Sequence, residues 1–344
     1  MADAQKTLST GALTPRAVRI VSTARYLPGR VVESQELDQA LGLKAGTLEG
    51  LSGVQRRHFT QGENAAQAGA KAARLALEKA GLQFSDVDLL LSVSGTQDQL
   101  IPSNAALLLQ ELDASSSAVP CFDINSTCLS FVVGLDTISF AIAAGRYRRV
   151  LIVASELGSL GLNPKELEAY SLFGDAAVAV IVEATPAGQS SRILGARQES
   201  YASGAEFCNI FGGAGRLPAY HYNQQSPERY LFHMDGPKLF KLSSEVMPAF
   251  LGRLLSDAGC ELKDIQVVIP HQASLSAMEL LRRKLKISKE QVISTLKEHG
   301  NNIAASIPLA MDEALQEGRL KRGDRVLLLG TSAGFSIGGM VLDY

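Results

Sequence analysis

The chain has 344 residues, 46% apolar and 20% charged, with a formal net charge of −2. That composition belongs to a soluble globular protein large enough for one big core or two halves. The near-neutral balance argues against nucleic acid or a membrane as partner. No apolar run is long enough to span a bilayer. The four cysteines, Cys121, Cys128, Cys208 and Cys260, show neither CxxC pairs nor zinc-ligand spacing, which predicts reduced thiols, no metal and a cytoplasmic location.

In chain order, residues 1–16 lack an apolar core of signal-peptide length and read as a flexible leader. A strand is expected over 17–23 and a short helix from Ser34, with Leu37, Ala40 and Leu41 as its apolar positions. Residues 53–58 form a basic turn or strand. An Ala-rich helix over 65–80 is closed by Gly81. VDLLLSV at 87–93 is a continuous apolar run, as in a strand covered on both faces. A helix follows over 103–112, entered through Pro102, and then a short apolar run over 118–124. Buried strands are expected at 150–154 and 176–182, and a polar junction at 185–191. A strand at 193–196 restarts the pattern. Residues 199–232 are rich in Gly, Tyr and Asn. Their FGGAG at 211–215 lacks the strand-to-helix context and the Lys of a phosphate loop, so this stretch reads as a plain excursion. A long helix over 238–258, a strand over 265–270, a helix over 274–285, a Gly-Asn turn with a helix over 298–315, and strands at 325–329 and 338–342 complete the chain. Strand and helix thus alternate twice, each time ending in two closing strands. This is an α/β architecture built twice, with halves over 17–185 and 186–344.

One stretch carries chemistry. Residues 123–145 read DINSTCLSFVVGLDTISFAIAAG: a strand end, a polar turn, Cys128, and an apolar helix through Phe131, Leu135, Ile138 and Ile142 that ends at Gly145. A free thiol titrates at about 8.5, and unpaired N–H groups at a helix N-terminus favour its thiolate. The competing reading is a structural cysteine, since free Cys is often buried. The second half places two polar clusters near strand ends, where α/β proteins build sites. His271, in PHQA, is a satisfied core residue, a ligand or an acid–base group. Asn301, in HGNN, is an ordinary turn residue or an amide donor to an enolate or oxyanion.

The segments VPCFDINSTCLSF, FGDAAVAV, VVIPHQAS and EHGNNIAASIPLA, in this order, resemble the ketoacyl-acyl carrier protein synthase III group of the thiolase superfamily. The resemblance runs from about Val18 to the C-terminus. It implies a thiolase-like five-layered αβαβα fold of two pseudo-duplicated halves, in a homodimer. It also implies a condensing enzyme of fatty acid or polyketide-type biosynthesis that needs no cofactor. An acyl thioester, from coenzyme A or an acyl carrier protein, would load Cys128. A malonyl thioester held by His271 and Asn301 would lose carbon dioxide, and its enolate would attack the acyl group to give a 3-ketoacyl product. The backbone N–H of Cys128, with one from the turn at Ala333 and Gly334, would form the oxyanion hole. Asp175 matches a structural position. Ile101, where the family often has Phe, would enter the partner subunit's acyl channel and leave room for a larger primer. Lys241, Arg283 and Lys284 match carrier-protein docking positions; the alternative is a solvated helix face. The chain departs from the housekeeping members in having no Trp, and no Arg at 47–53 or 167–168, the positions that grip coenzyme A. A non-decarboxylative relative would need a Glu base at Ile101. That reading, an acyltransferase and a silent partner subunit are the alternatives.

Overall fold

The computed structural model describes residues 14–114 and 116–344. Strands β1 (Val18–Tyr26), β2 (Leu89–Ser92), β3 (Cys121–Asp123), β4 (Arg149–Leu157) and β5 (Asp175–Ala184) make a five-stranded sheet in the order β1-β5-β4-β2-β3. β5 is antiparallel to both β1 and β4, whereas β2 is parallel to both β4 and β3. Strands β6 (Arg192–Ser200), β7 (Val267–Pro270), β8 (Arg325–Ser332) and β9 (Ser336–Asp343) make a second sheet in the order β6-β9-β8-β7. Here β9 is antiparallel to β6 and β8, and β7 is parallel to β8. A parallel bridge from Val268 to Val292 stands where a fifth strand would continue it. Both sheets therefore repeat one pairing series: antiparallel, antiparallel, parallel, parallel.

The sheets are sandwiched between helices α1 (Ala65–Ala80), α2 (Asn104–Glu111), α3 (Ser130–Ala143), α4 (Gly236–Asp257), α5 (Leu275–Leu285) and α6 (Ser306–Gln316). The outer face of the first sheet is covered by α1. Its small side chains Ala68, Ala72 and Ala76 pack on Leu90, Leu151 and Ala179. Between the sheets lie α3 and α6, whose Phe131, Leu135, Ile138, Ile307 and Leu309 share one core with Val180 of β5 and Leu328 of β8. On the far side, Met247, Phe250 and Leu254 of α4 and Leu281 of α5 cover Val268, Leu327 and Leu329. The layers run α, β, α, β, α, the thiolase-like architecture. Because both sheets are covered on both faces, their strands read as unbroken apolar runs, which made them visible in the sequence.

Several details differ from the sequence reading. Of the expected leader, residues 1–13 lie outside the described residues. Its end is fixed in place: Arg16 is buried, pairs its backbone with Ile193, and donates to Asp136 of α3 at 2.6 Å. The basic stretch near residue 57 is a strand, Arg56–Phe59, as one of the two expected readings had it, and it pairs antiparallel with Arg30–Glu33 across two short helices. Arg57 is wholly buried there and donates to Ser34 Oγ at 2.9 Å. Charge marks such a stretch as surface, but hydrogen bonds to its guanidinium make burial possible. The Gly-Asn turn and following helix expected within 298–315 are both present, the helix being α6, and a short helix, Leu296–His299, precedes the turn. Among the described residues, no helix is long and apolar enough to cross a membrane.

Candidate active site

Asp123, at the end of β3, accepts N–H bonds from Asn104 and Ala105 at 2.9 and 2.8 Å, fixing the start of α2. The chain then reverses. Asn125 Oδ1 accepts the Thr127 N–H at 2.9 Å, and the Ser126 N–H donates to Ser130 Oγ at 2.8 Å. Thr127 has φ +47°, in the left-handed region a β-branched residue rarely visits. A single 3₁₀ turn, Thr127–Leu129, leads into α3, and Cys128 is its middle residue. Sequence order alone predicted this strand, turn, cysteine and helix.

The same turn recurs in the second half. Asn301 Oδ1 accepts the Ile303 N–H at 2.9 Å, the Asn302 N–H donates to Ser306 Oγ at 2.9 Å, and Ile303 has φ +49°. A 3₁₀ turn, Ile303–Ala305, leads into α6. Residues 125–130 and 301–306 thus correspond one to one. Asn125 matches Asn301, Cys128 matches Ala304, and Ser130 matches Ser306. Only the Asn and Ser ends are shared, too few for a sequence repeat to be seen.

His271 directly follows β7, and its N–H donates to the Leu329 carbonyl at 2.8 Å. There is room for it because residue 330 is Gly: a Cβ there would stand 2.7 Å from His271 Cβ. The Asn301 Nδ2 lies 3.4 Å from His271 Nε2. Cys128, His271 and Asn301 line one cavity of ≈ 1670 Å³, together with Ala333 and Gly334. The thiol of Cys128 receives N–H contacts from Ala333 and from its own backbone, which lower its pKa. Burial and the charge of Glu156 outweigh them and push it up to about 12. The thiolate expected from the helix terminus is therefore not the resting form; the thiol is. Burial alone pushes His271 down to about 4, so its imidazole is neutral. His271 Nδ1 has no hydrogen-bond partner among the described residues.

The sequence reading missed Glu156. It stands next to last in the mostly apolar strand β4 and is fully buried. Its carboxylate accepts from the Gly95 N–H at 2.6 Å, the Thr96 N–H at 2.9 Å, the Thr96 hydroxyl at 2.6 Å and the Ala304 N–H at 3.3 Å. Burial pushes its pKa up to about 7, against the pull of those donors. A carboxylate near the end of a mostly apolar strand (VLIVASEL) was the available signal. Asp175 accepts from Thr60, the Ser159 N–H and the Ser159 hydroxyl, an internal anchor.

The remaining predicted residues lie outside this cluster. Ile101 is 85% exposed beside Leu100, which does line the cavity. Lys241 is exposed on α4. On α5, Lys284 lines the cavity and donates to the Ser244 carbonyl of α4 at 2.8 Å. Arg283 and Arg282 both pair with Glu279, so part of the basic patch is neutralised within the helix. Residues 47–52 form a short helix, and Glu168 lines the cavity where the resemblance would place an Arg. Gly212, Gly213 and Ala214 of the excursion also line it.

Two family profiles match this chain. "3-Oxoacyl-[acyl-carrier-protein (ACP)] synthase III" covers residues 122–202, and its C-terminal counterpart covers residues 255–344. A beta-ketoacyl-[acyl-carrier-protein] synthase III of Clostridium acetobutylicum is 30% identical over 333 residues, 95% of this chain and 99% of the relative. The chain belongs to the beta-ketoacyl-[acyl-carrier-protein] synthase III family. Like that family it is a condensing enzyme of fatty acid biosynthesis and a transferase. The crystal structure of 3-oxoacyl-[acyl-carrier-protein] synthase III from Aquifex aeolicus superimposes with a TM-score of 0.84 at 29% identity, covering 96% of this chain and all of that one. OleA of Xanthomonas campestris reaches the same TM-score at 22% identity, covering 96% of this chain and 98% of that one, a likeness of fold alone. The first matched segment contains Cys128, and the second contains His271 and Asn301.

Proposed function

We propose that Cys128 is acylated by a thioester primer and that the acyl group is then joined to a malonyl thioester by decarboxylative condensation. The observation that carries this reading is the 3.4 Å approach of the Asn301 amide nitrogen to a neutral His271, in the cavity that also exposes Cys128. Two neutral nitrogens so placed can donate to one external oxygen, which suits a thioester carbonyl that becomes an enolate. In loading, the Cys128 sulfur bonds to the acyl carbon, the carrier's C–S bond breaks, and the thiol proton leaves with the carrier thiol. In condensation, the C–C bond to the malonyl carboxylate breaks and carbon dioxide departs. The electron pair becomes the enolate, whose oxygen rests on His271 and Asn301. Its carbon then attacks the acyl carbon on Cys128. The N–H groups of Cys128 and of Ala333, with Gly334 completing the turn, hold the resulting oxyanion until the C–S bond breaks.

Decarboxylation creates the enolate without a base. The alternative, proton abstraction, requires a carboxylate with a free lone pair near the substrate. Ile101 supplies none. Glu156 already accepts four bonds, the full capacity of its two oxygens. The cavity exceeds the roughly 300–1,000 Å³ of an ordinary ligand pocket, leaving room for a carrier arm and an acyl group longer than acetyl. An acyl carrier protein delivers the extender, approaching along Lys241 and Lys284. A second copy of the chain receives Ile101 in a homodimer, and the enzyme works in the cytoplasm. Intact-protein mass spectrometry with a panel of acyl-coenzyme A and acyl-carrier substrates tests the loading step: a single acyl adduct on Cys128 is expected, and its absence with every donor would reject it. Carbon dioxide release from malonyl thioester tests the second step; product without carbon dioxide would favour the non-decarboxylative reading.

A further inference from the structure

The one-to-one correspondence of the two turns makes Ala304 the counterpart of Cys128. In the first half, the Cys128 N–H meets its own thiol at the cavity, joined there by the Ala333 N–H. In the second half, the matching Ala304 N–H is occupied by Glu156, whose oxygens also take Gly95 and both donors of Thr96. The Thr96 hydroxyl accepts from the Leu157 N–H at 3.3 Å, which leaves its proton for the carboxylate. Glu156 thus bonds three segments: the loop after β2, its own strand, and the turn that presents Asn301. Gly95 fits so closely that a Cβ there would lie 2.9 Å from Ile303 Cγ2 and 3.2 Å from Thr127 Cα, touching both turns.

We propose that Glu156 is a positioning residue for condensation: a buried carboxylate bonded into the second turn, holding Asn301 toward His271 and, when ionised, setting the charge that the Cys128 thiol faces. The route is continuous. Glu156 fixes the Ala304 N–H, Ala304 lies in the turn whose Ile303 N–H binds Asn301 Oδ1, and the other end of that amide meets His271. Four donors and no acceptor match the ionised carboxylate. That charge opposes the thiolate, so Cys128 stays protonated until a substrate arrives. The other titratable groups around the thiol are His271, neutral, and Cys208, whose own pKa is pushed up to about 12 by burial and by the Cys128 thiol. Neither supplies a competing charge near neutral pH.

This inference rests on the role given to Asn301 above, and the experiment separates the two. Glu156→Gln removes the charge at constant size, whereas Glu156→Asp keeps it and retracts the oxygens from Ala304. Alkylation of Cys128 by iodoacetamide, followed on its peptide by mass spectrometry, gives the thiol's titration midpoint. Glu156→Gln is expected to lower that midpoint by at least about half a pH unit, and Glu156→Asp to leave it in place. Both variants should lose malonyl decarboxylation at least about tenfold more than acyl loading, as misplacement of a catalytic group does. An unchanged midpoint in Glu156→Gln, or parallel losses of loading and decarboxylation, overturns the proposal. If Glu156→Gln does not fold, the ratio of the two rates in Glu156→Asp decides alone. If Asn301→Ala loses both steps equally, the reading of the site fails instead.

Discussion

The turns at 125–130 and 301–306 share their hydrogen bonds and their left-handed third residue, and they differ in what occupies their N–H groups. In the first the occupant is a thiol that opens onto a cavity. In the second it is a buried carboxylate already bonded four ways. The backbone makes an anion seat in both cases. The side chain decides whether that seat is kept open for a transient charge or filled permanently. In the proposed reaction one half of the duplication does the chemistry, while the other orients a donor toward it.

The comparison breaks most completely at the nucleophile. Cys128→Ser should abolish both acylation and condensation, because a hydroxyl without an adjacent base is a poor nucleophile; covalent uptake of a labelled primer by the variant would refute the assignment. At the second turn the loss should be selective. Asn301→Ala is expected to lower malonyl decarboxylation by about 100- to 1,000-fold while primer loading persists, measured as carbon dioxide release against adduct mass. Gly330→Ala sharpens the contrast, since the new Cβ must displace His271. A loss of about 10- to 100-fold in decarboxylation, with normal loading, is expected for a shift of this kind; an unaffected rate would place His271 outside the reaction.

A smaller effect appears in stability. The folded protein keeps His271 neutral down to about pH 4, whereas an unfolded histidine takes its proton at about 6.5. Between those values the unfolded state binds more protons, so stability should fall as the pH drops through that window. His271→Gln should lack this part of the slope in melting curves taken from pH 4 to 7, and an identical slope would mean the imidazole is protonated in the fold. Smallest of all is docking. Charge reversal of Arg283 and Lys284 together should raise the KM for malonyl-carrier protein a few-fold at low salt, since exposed charges steer more than they bind. Loading from acyl-coenzyme A should be unchanged; an unaltered KM would mark α5 as a solvated face.

The sequence was legible wherever burial imposed a pattern. The strands at 150–154 and 176–182 were found because both faces are covered, and the helix at 65–80 because its Ala stripe and Gly81 mark both extent and end. Cys128, His271 and Asn301 stood out as polar residues at the ends of apolar runs, though only folding shows them lining one cavity. Glu156 has the same signature and was passed over, because the stretch around it was read as a strand alone. The equivalence of the two turns was hidden because it is written in backbone angles and hydrogen bonds, with Thr127 set against Ile303 and Cys128 against Ala304. The burial of Arg57 was not legible in its strand, because a buried Arg looks like any other until its acceptors are known.

The shared layer of α3 and α6 has a consequence for how the chain can be divided. Val18, Ile20 and Phe131 from one half and Ile307, Val326 and Leu342 from the other belong to a single cluster of buried side chains. Arg16, at the start of the first half, is joined through its backbone to Ile193 of the second. The exposed segment 186–190 is covalently the simplest place to cut, but cleavage there would sever the polymer without separating the fold. The fragments would each expose half of an apolar interior, and their mutual burial would hold them as a non-covalent pair. Each copy keeps an outer core of its own, under α1 in the first and under α4 and α5 in the second, but the inner core belongs to both.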